Sequence, residues 1–270
     1  MSSYVVTGAS RGIGLEFVRQ LSDHPSNTVI AVVRNKSNIP HLAPLLARAN
    51  VHAVQADVTS PEQLAEAAVE VGQITGGSLD VLIANAGISE KGAGVTLAQP
   101  GLDQRELGKA MVNMFEWNTV SAVWTNNAFL PLLRRGKQKK IIDTSSGLGD
   151  VEFTKKTNTS GMAPYSISKA ALSFAVLKYA IELQPEGFTV VAISPGLVDT
   201  SSTKDTPPPT EEEMKQFAVV AETWAAAYPN WDRKPISVEE SVRCQLQTIE
   251  AIGPQDNGRF MSHHNDDQWY

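Results

Sequence analysis

Tyr165 and Lys169 stand four residues apart in the run Tyr-Ser-Ile-Ser-Lys. On a helix this spacing puts both side chains on one face, with an ammonium beside a phenol. A free tyrosine, with a pKa of about 10, exchanges protons poorly at neutral pH. A neighbouring positive charge lowers such a pKa by roughly one to three units, toward the range of general acid–base catalysis. Many solvent-facing helices carry this pair by chance. What gives it weight is the earlier run Thr7-Gly8-Ala9-Ser10-Arg11-Gly12-Ile13-Gly14. Glycines at a strand-to-helix turn let backbone N–H groups approach a pyrophosphate, which the helix N-terminus also attracts. Their spacing is Gly-x-x-x-Gly-x-Gly, not the Gly-x-Gly-x-x-Gly of many dinucleotide folds. Together the two motifs point to hydride chemistry with Tyr165 handling the proton.

The elements that must position these groups follow from periodicity. Residues 4–7, 28–33, 51–56, 79–84, 140–144 and 189–194 are short β-branched runs, apolar along most of their length. Such runs suit a parallel sheet covered on both faces. Helix starts are marked by Ser60-Pro61-Glu62-Gln63, Thr210-Glu211-Glu212-Glu213 and Ser237-Val238-Glu239-Glu240, each a capping pattern. The alternation predicts one α/β domain, a doubly wound and mainly parallel Rossmann-type sheet with right-handed crossovers. Residues 199–210 are polar and end in three prolines, so they form neither helix nor central strand. They follow a strand end, where ligands bind in open α/β sheets. With Phe217, Trp224, Tyr228 and Trp231 behind them, residues 199–231 read either as a substrate lid or as ordinary packing.

Composition narrows the function classes. The chain has 270 residues, 42% hydrophobic and 19% charged, as expected of one soluble globular domain. No apolar run approaches the about 20 residues that span a bilayer, and the first residues lead into a strand without a basic signal-type region. A net charge of −6 argues against a nucleic-acid partner. The basic cluster Arg134-Arg135-Gly136-Lys137-Gln138-Lys139-Lys140 reads as a helix C-terminus capped by Gly136. The single cysteine, Cys244, forms no intramolecular disulfide or zinc cluster and suggests a reducing, cytoplasmic setting. The histidines lack metal-ligand spacing. His263 and His264, among Asn265, Asp266 and Asp267, read as a solvated tail, and no metal is expected.

Cofactor choice is argued by charge. An acid about twenty residues past the glycines would bind the adenosine ribose hydroxyl, whereas arginine accommodates a 2′-phosphate. The second strand ends Val32-Val33-Arg34-Asn35, with no carboxylate. Arg11 inside the glycine turn supplies a second cation, so the pattern favours NADP(H).

The ordered set Thr7–Gly14, Asp57 in Ala-Asp-Val, Asn85-Ala86-Gly87, Asn118, Ser145-Ser146, Tyr165/Lys169 and Ser194-Pro195-Gly196 resembles the classical-type short-chain dehydrogenases/reductases over nearly the whole chain. Val-Val-Arg-Asn, Met-Val-Asn-Met and Gly-Arg-Phe look more narrowly like fungal ketoreductases of the norsolorinic-acid reductase type. The resemblance implies that Tyr165 exchanges the proton with the substrate oxygen. It also implies that Lys169 holds the nicotinamide ribose, Ser146 fixes the carbonyl and Asn118 supports a water leading to Lys169. It assigns Gly8, Ser10, Arg11, Gly12, Ile13 and Gly14 to the pyrophosphate turn, Arg34 and Asn35 to the 2′-phosphate, and Asp57 with Val58 to adenine. Asn85, Ala86 and Gly87 should border the adenosine ribose, and Pro195, Gly196, Val198 and Thr200 the nicotinamide. Family members are often dimers or tetramers. One departure is a polar insertion at 150–161, which bears on substrate shape and subunit packing. The expected activity is NADPH-dependent reduction of a hydrophobic ketone or aldehyde. The rivals are a non-catalytic NADP(H) sensor or scaffold and, more distantly, a sugar epimerase.

Overall fold

The six apolar runs form strands, most of them buried along most of their length. In the computed structural model, which describes residues 1–89, 94–203 and 210–269, they are β1 (Ser3–Thr7), β2 (Thr28–Val33), β3 (Val51–Gln55), β4 (Val81–Ala84), β5 (Lys140–Thr144) and β6 (Thr189–Ser194). Two further strands, β7 (Val198–Asp199) and β8 (Ile236–Ser237), make a small separate pair, and β9 (Phe260–Ser262) joins the main sheet. The sheet order is β3-β2-β1-β4-β5-β6-β9, with every pairing parallel. The order reverses between β1 and β4, so the crevice beyond their C-terminal ends is where a ligand fits.

Side chains alternate between the faces with period two. Val5, Leu82, Ile141 and Val190 enter one core, while Val6, Ile83, Ile142 and Val191 enter the other. The first face is covered by α2 (Pro61–Ile74), α4 (Ser121–Leu133) and α6 (Ala163–Leu183), and the second by α1 (Gly12–Ser22) and α8 (Val238–Ala251). α3 (Gln104–Phe115) leads into α4 through a π-helical turn, Glu116–Val120, and packs on α6. α5 (Val151–Thr157) and α7 (Glu211–Ala227) complete the set.

The helix starts behave as read. Ser60 accepts the Gln63 N–H at 3.3 Å, and Thr210 with Glu213 forms a complete capping box. Gln63 departs from the box by accepting the Asp57 N–H at 3.0 Å. At the basic cluster α4 ends on Leu133 with Arg134 as its cap, earlier than the expected Gly136. Gly136 is required for another reason: a Cβ there would run into the Leu79 carbonyl. Arg134 instead forms an ion pair with Glu186 at 2.8 Å.

One segment gains a structure and one expectation needs correction. The insertion at 150–161 is a helix, α5, capped by the Asp150 carboxylate on the Phe153 N–H at 2.6 Å and ended by Asn158 in the left-handed region. Glu152, Lys155 and Lys156 are exposed, while Thr157 is buried and Phe153 is buried against Trp224 and Tyr228 of the α7 region. The segment after Ser262 is not a solvated tail. His263 and Trp269 are buried, and Trp269 stacks at 4.5 Å on Phe260. Of residues 199–210, positions 204–209 lie outside the described residues, and Ser201–Thr203 is a short 3-10 turn. Among the described residues no helix is long and apolar enough to cross a membrane, and no cluster of His, Cys, Asp or Glu could hold a metal.

Candidate active site

At the sheet's switch point the chain leaves β1 through Gly8 at φ +67° and enters α1 through Gly12 at φ +56°, backbone that an L side chain adopts only under strain. Gly14 is needed for a different reason: its Cβ would collide with the Gly8 carbonyl and stand 2.7 Å from Asn85 Nδ2. These three glycines leave a bare backbone cradle at the start of α1, which fits a pyrophosphate. Thr200 lies beside it, 3.5 Å from where a Gly12 Cβ would be, and the Gly12 N–H donates to Thr203 Oγ at 2.7 Å. The fit to a dinucleotide rests on this cradle together with its rim.

That rim carries the other expected residues. Arg11, Arg34 and Asn35 are exposed, and neither arginine makes an ion pair among the described residues. Asp57 turns its Oδ1 onto the Thr59 N–H and hydroxyl, at 3.0 and 2.7 Å, next to buried Val58. Asn85 donates to the Thr7 carbonyl at 3.1 Å and the Ala86 N–H to the Thr7 hydroxyl at 3.1 Å, which ties the ends of β1 and β4 together. Gly87 is exposed there; a Cβ on it would stand 2.9 Å from Asn118 Oδ1 and 3.5 Å from Lys169 Nζ. On the far side, Gly196 has φ +84°, the Pro195 carbonyl accepts from Ser241, and Val198 pairs with Ile236.

Lys169 is anchored from below. Its buried ammonium donates to the Thr144 carbonyl at 2.7 Å and stands 6.0 Å from the centre of the Tyr165 ring. The Tyr165 hydroxyl faces the Ser146 side chain, whose Oγ accepts the Leu148 N–H at 3.3 Å. Asn118 sits in the π-helical turn, a helix irregularity common at functional sites. Its Oδ1 accepts the Ile88 N–H at 2.8 Å, and its Nδ2 donates to the Ile88 carbonyl and the Ser168 hydroxyl at 2.9 and 3.0 Å. One amide thereby joins the loop after β4 to α6. Asn118 from the π-helical turn, Ser146 from the segment after β5, and Tyr165 with Lys169 from α6 thus converge from three elements.

Electrostatics here depart from the sequence reading. The Tyr165 phenol is pushed above its ordinary value, because burial outweighs the opposing influence of the Ser146 hydroxyl. The expected acidification by Lys169 is absent since that ammonium is directed at Thr144 rather than the phenol oxygen. Burial also lowers Lys169 to about 8, and the Asp143 carboxylate works against that fall. Asp143, wholly inaccessible to solvent, is raised to about 7 by its own burial, with Asn126 and Lys169 opposing. Sequence reading passed over Asp143; a carboxylate within the apolar run Ile-Ile-Asp-Thr was the available signal. Ser168, Thr203 and His263 were also missed. His263 packs against Gly196, its Cε1 being 2.8 Å from where a Cβ would lie, and burial lowers it to about 4.

Comparison with known proteins agrees with this geometry. The family profile described as short chain dehydrogenase matches residues 3–211. The short-chain dehydrogenase/reductase AacuF of Aspergillus aculeatus is 42% identical, and atnB of an Arthrinium species 39% identical, each with 100% of both chains covered. Among solved structures, NADPH-bound carbonyl reductase from chicken fatty liver superimposes with a TM-score of 0.76 at 27% identity, covering 100% of this chain and 99% of that one. The carbonyl reductase Sniffer of D. melanogaster shares the fold at a TM-score of 0.76 and 24% identity, with 100% of both chains covered. A nucleotide cradle on the first strand, a Tyr/Lys pair four residues apart and relatedness over the full sequence lead to one statement: the chain belongs to the short-chain dehydrogenase family, whose members are nicotinamide-dependent oxidoreductases.

Proposed function

We propose that the protein is an NADPH-dependent reductase of hydrophobic ketones or aldehydes, working reversibly. The observation that carries this reading is the Tyr165 hydroxyl facing Ser146, with the Lys169 ammonium buried on the same helix as Tyr165. The bound cofactor supplies the hydride. Tyr165, held protonated by its burial, is in the state that reduction requires and delivers its proton to the nascent alkoxide. Ser146 donates to the same oxygen and stabilises the charge that develops there. Lys169 holds the nicotinamide ribose and contributes positive charge. Asn118 positions the loop after β4 and supports the water leading to Lys169. Arg11 and Arg34 favour the 2′-phosphorylated cofactor, a preference that agrees with the NADPH bound in the chicken reductase. A hydrophobic substrate suits the aromatic side chains Phe153, Phe217, Trp224, Tyr228 and Trp231, clustered between α5 and the region of α7. We take residues 199–231 as the lid of this single domain.

A cytoplasmic setting and a homodimer or homotetramer complete the proposal. The exposed Val112 and Phe115 of α3 with Phe174 and Ile181 of α6 form an apolar surface suited to a second copy. The activity is tested by Tyr165→Phe, with consumption of NADPH followed against a panel of ketones. Reduction should fall by roughly 10²–10⁴, the usual worth of a positioned proton donor, while NADPH binding measured by fluorescence stays near wild type. Near-normal turnover would overturn the acid assignment, and NADPH binding without reduction of any carbonyl by the wild type would favour a sensor.

A further inference from the structure

Asp143 has no task in the reaction outlined above, yet it lies one residue from the carbonyl that anchors Lys169. It sits in the middle of the sheet, between Ala84 of β4 and Ala192 of β6, and is 0% exposed. The flanking strands therefore offer it no charge at that register. From α4 comes Asn126, whose Nδ2 reaches the two carboxylate oxygens at 3.0 and 3.3 Å, while its own Oδ1 is buried without a partner. From α6 come two titratable groups. The Tyr179 phenol is directed at the Asn127 side chain and the Val123 carbonyl, at 2.7 and 3.2 Å, and is itself raised to about 12. The other is Lys169. A neutral amide cannot cancel a buried carboxylate, and an uncompensated buried charge is strongly disfavoured. Lys169 is in the matching position: buried, with its ammonium on a backbone carbonyl rather than on an acid.

We propose that Asp143 is a positioning residue for the reaction, the buried counter-charge that keeps Lys169 protonated and seated on the Thr144 carbonyl. Its meaning for turnover rests on the reductase reading; the charge pairing itself does not. Without the carboxylate, a buried ammonium bonded to one carbonyl would lose its proton more readily, and the site would lose the cation beside Tyr165. The directions of the two titrations agree with this: burial moves both groups toward neutrality, and each charge opposes the other's shift.

The test titrates Lys169 through its ¹³Cε resonance in the folded protein, assigned by its loss in Lys169→Met. In Asp143→Asn, which keeps the shape and a polar edge for Asn126, the Lys169 midpoint should fall by about one pH unit, the low end of the effect of removing a nearby opposite charge. The alkaline limb of kcat/KM for reduction should move down by the same amount, and Asp143→Glu should restore it. A merely structural role would lower yield or Tm and leave that limb in place. An unmoved Lys169 midpoint in folded Asp143→Asn overturns the proposal. Should that variant not fold, the ¹³Cγ resonance of Asp143 in the wild type decides. The carboxyl should ionise before Lys169 deprotonates as pH rises, and a carboxyl still protonated after that point overturns the pairing. The resonance titrations need no turnover. Failure of the wild type to reduce any carbonyl would therefore remove the reductase reading while still leaving the pair to be decided.

Discussion

Replacing Phe153 by alanine should loosen α7 while sparing the Tyr165/Lys169 pair. Phe153 is 5% exposed, with its ring edge-on to Trp224 at 5.6 Å and stacked on Tyr228 at 5.9 Å. Removing a buried phenylalanine costs about 3–5 kcal/mol. Two contacts survive the change: the Trp224 indole N–H on Thr159 at 2.8 Å and Lys156 over the Tyr228 ring at 3.8 Å. The low end, about 3 kcal/mol, is therefore the better figure. If α5 and α7 unfold with the rest, Tm drops by roughly 6–12 °C at about 2–4 °C per kcal/mol. If they open on their own, amide hydrogen exchange in α7 accelerates about a hundredfold, since 1.36 kcal/mol is a factor of ten. In both cases KM for a bulky ketone rises while NADPH affinity is retained. Wild-type exchange in α7 together with an unchanged Tm would show that the inserted helix does not hold the lid, and the reasoning would fail.

Other outcomes can be stated briefly. Arg34→Asp should move preference toward NADH by about tenfold to a hundredfold, because a hydrogen bond to a charged group contributes about 1.5–3 kcal/mol; kcat/KM for both cofactors measures it, and an unchanged ratio removes Arg34 from the phosphate site. Reduction by the wild type should stay level at neutral pH and fall about tenfold per pH unit above the Lys169 value of about 8. The raised Tyr165 phenol remains a donor throughout that range; a decline that begins only near the ordinary lysine value would contradict the buried-ammonium picture. Phe174→Glu, on the exposed face of α6 where the side chain is 65% accessible, should shift sedimentation from oligomer to monomer. Identical sedimentation of variant and wild type would place any subunit interface elsewhere.

Strand runs and helix caps were readable because each rests on local chemistry: alternation of apolar residues, a hydroxyl before a helix, a glycine where φ is positive. The Tyr165/Lys169 pair belongs to the same class, since helical spacing alone brings the two together. β9 escaped notice because three residues, Phe260–Ser262, carry no periodicity until β6 offers them an edge. Burial was the other blind spot. Polar neighbours made His263 look solvated, and the phenol's acidity was misjudged in sign because desolvation depends on what covers the ring. Candidate cofactor and catalytic residues such as Asn85 and Asn118 were proposed as motif members. Their hydrogen bonds to Thr7, Ile88 and Ser168 belong to the assembled fold and have no counterpart in a linear string.

The wide turn at Glu116–Val120 bears on what length changes this gene can accept. It absorbs surplus chain inside an otherwise continuous rod, so that α3 can face α6 while α4 faces α2. Losing a single residue there would regularise the coil and rotate everything after it by about 100°. Phe129, Leu132 and Leu133, all buried, would be swung out of the interior. Point substitutions around Asn118 are therefore survivable in principle, whereas a one-codon deletion strikes the whole layer at once.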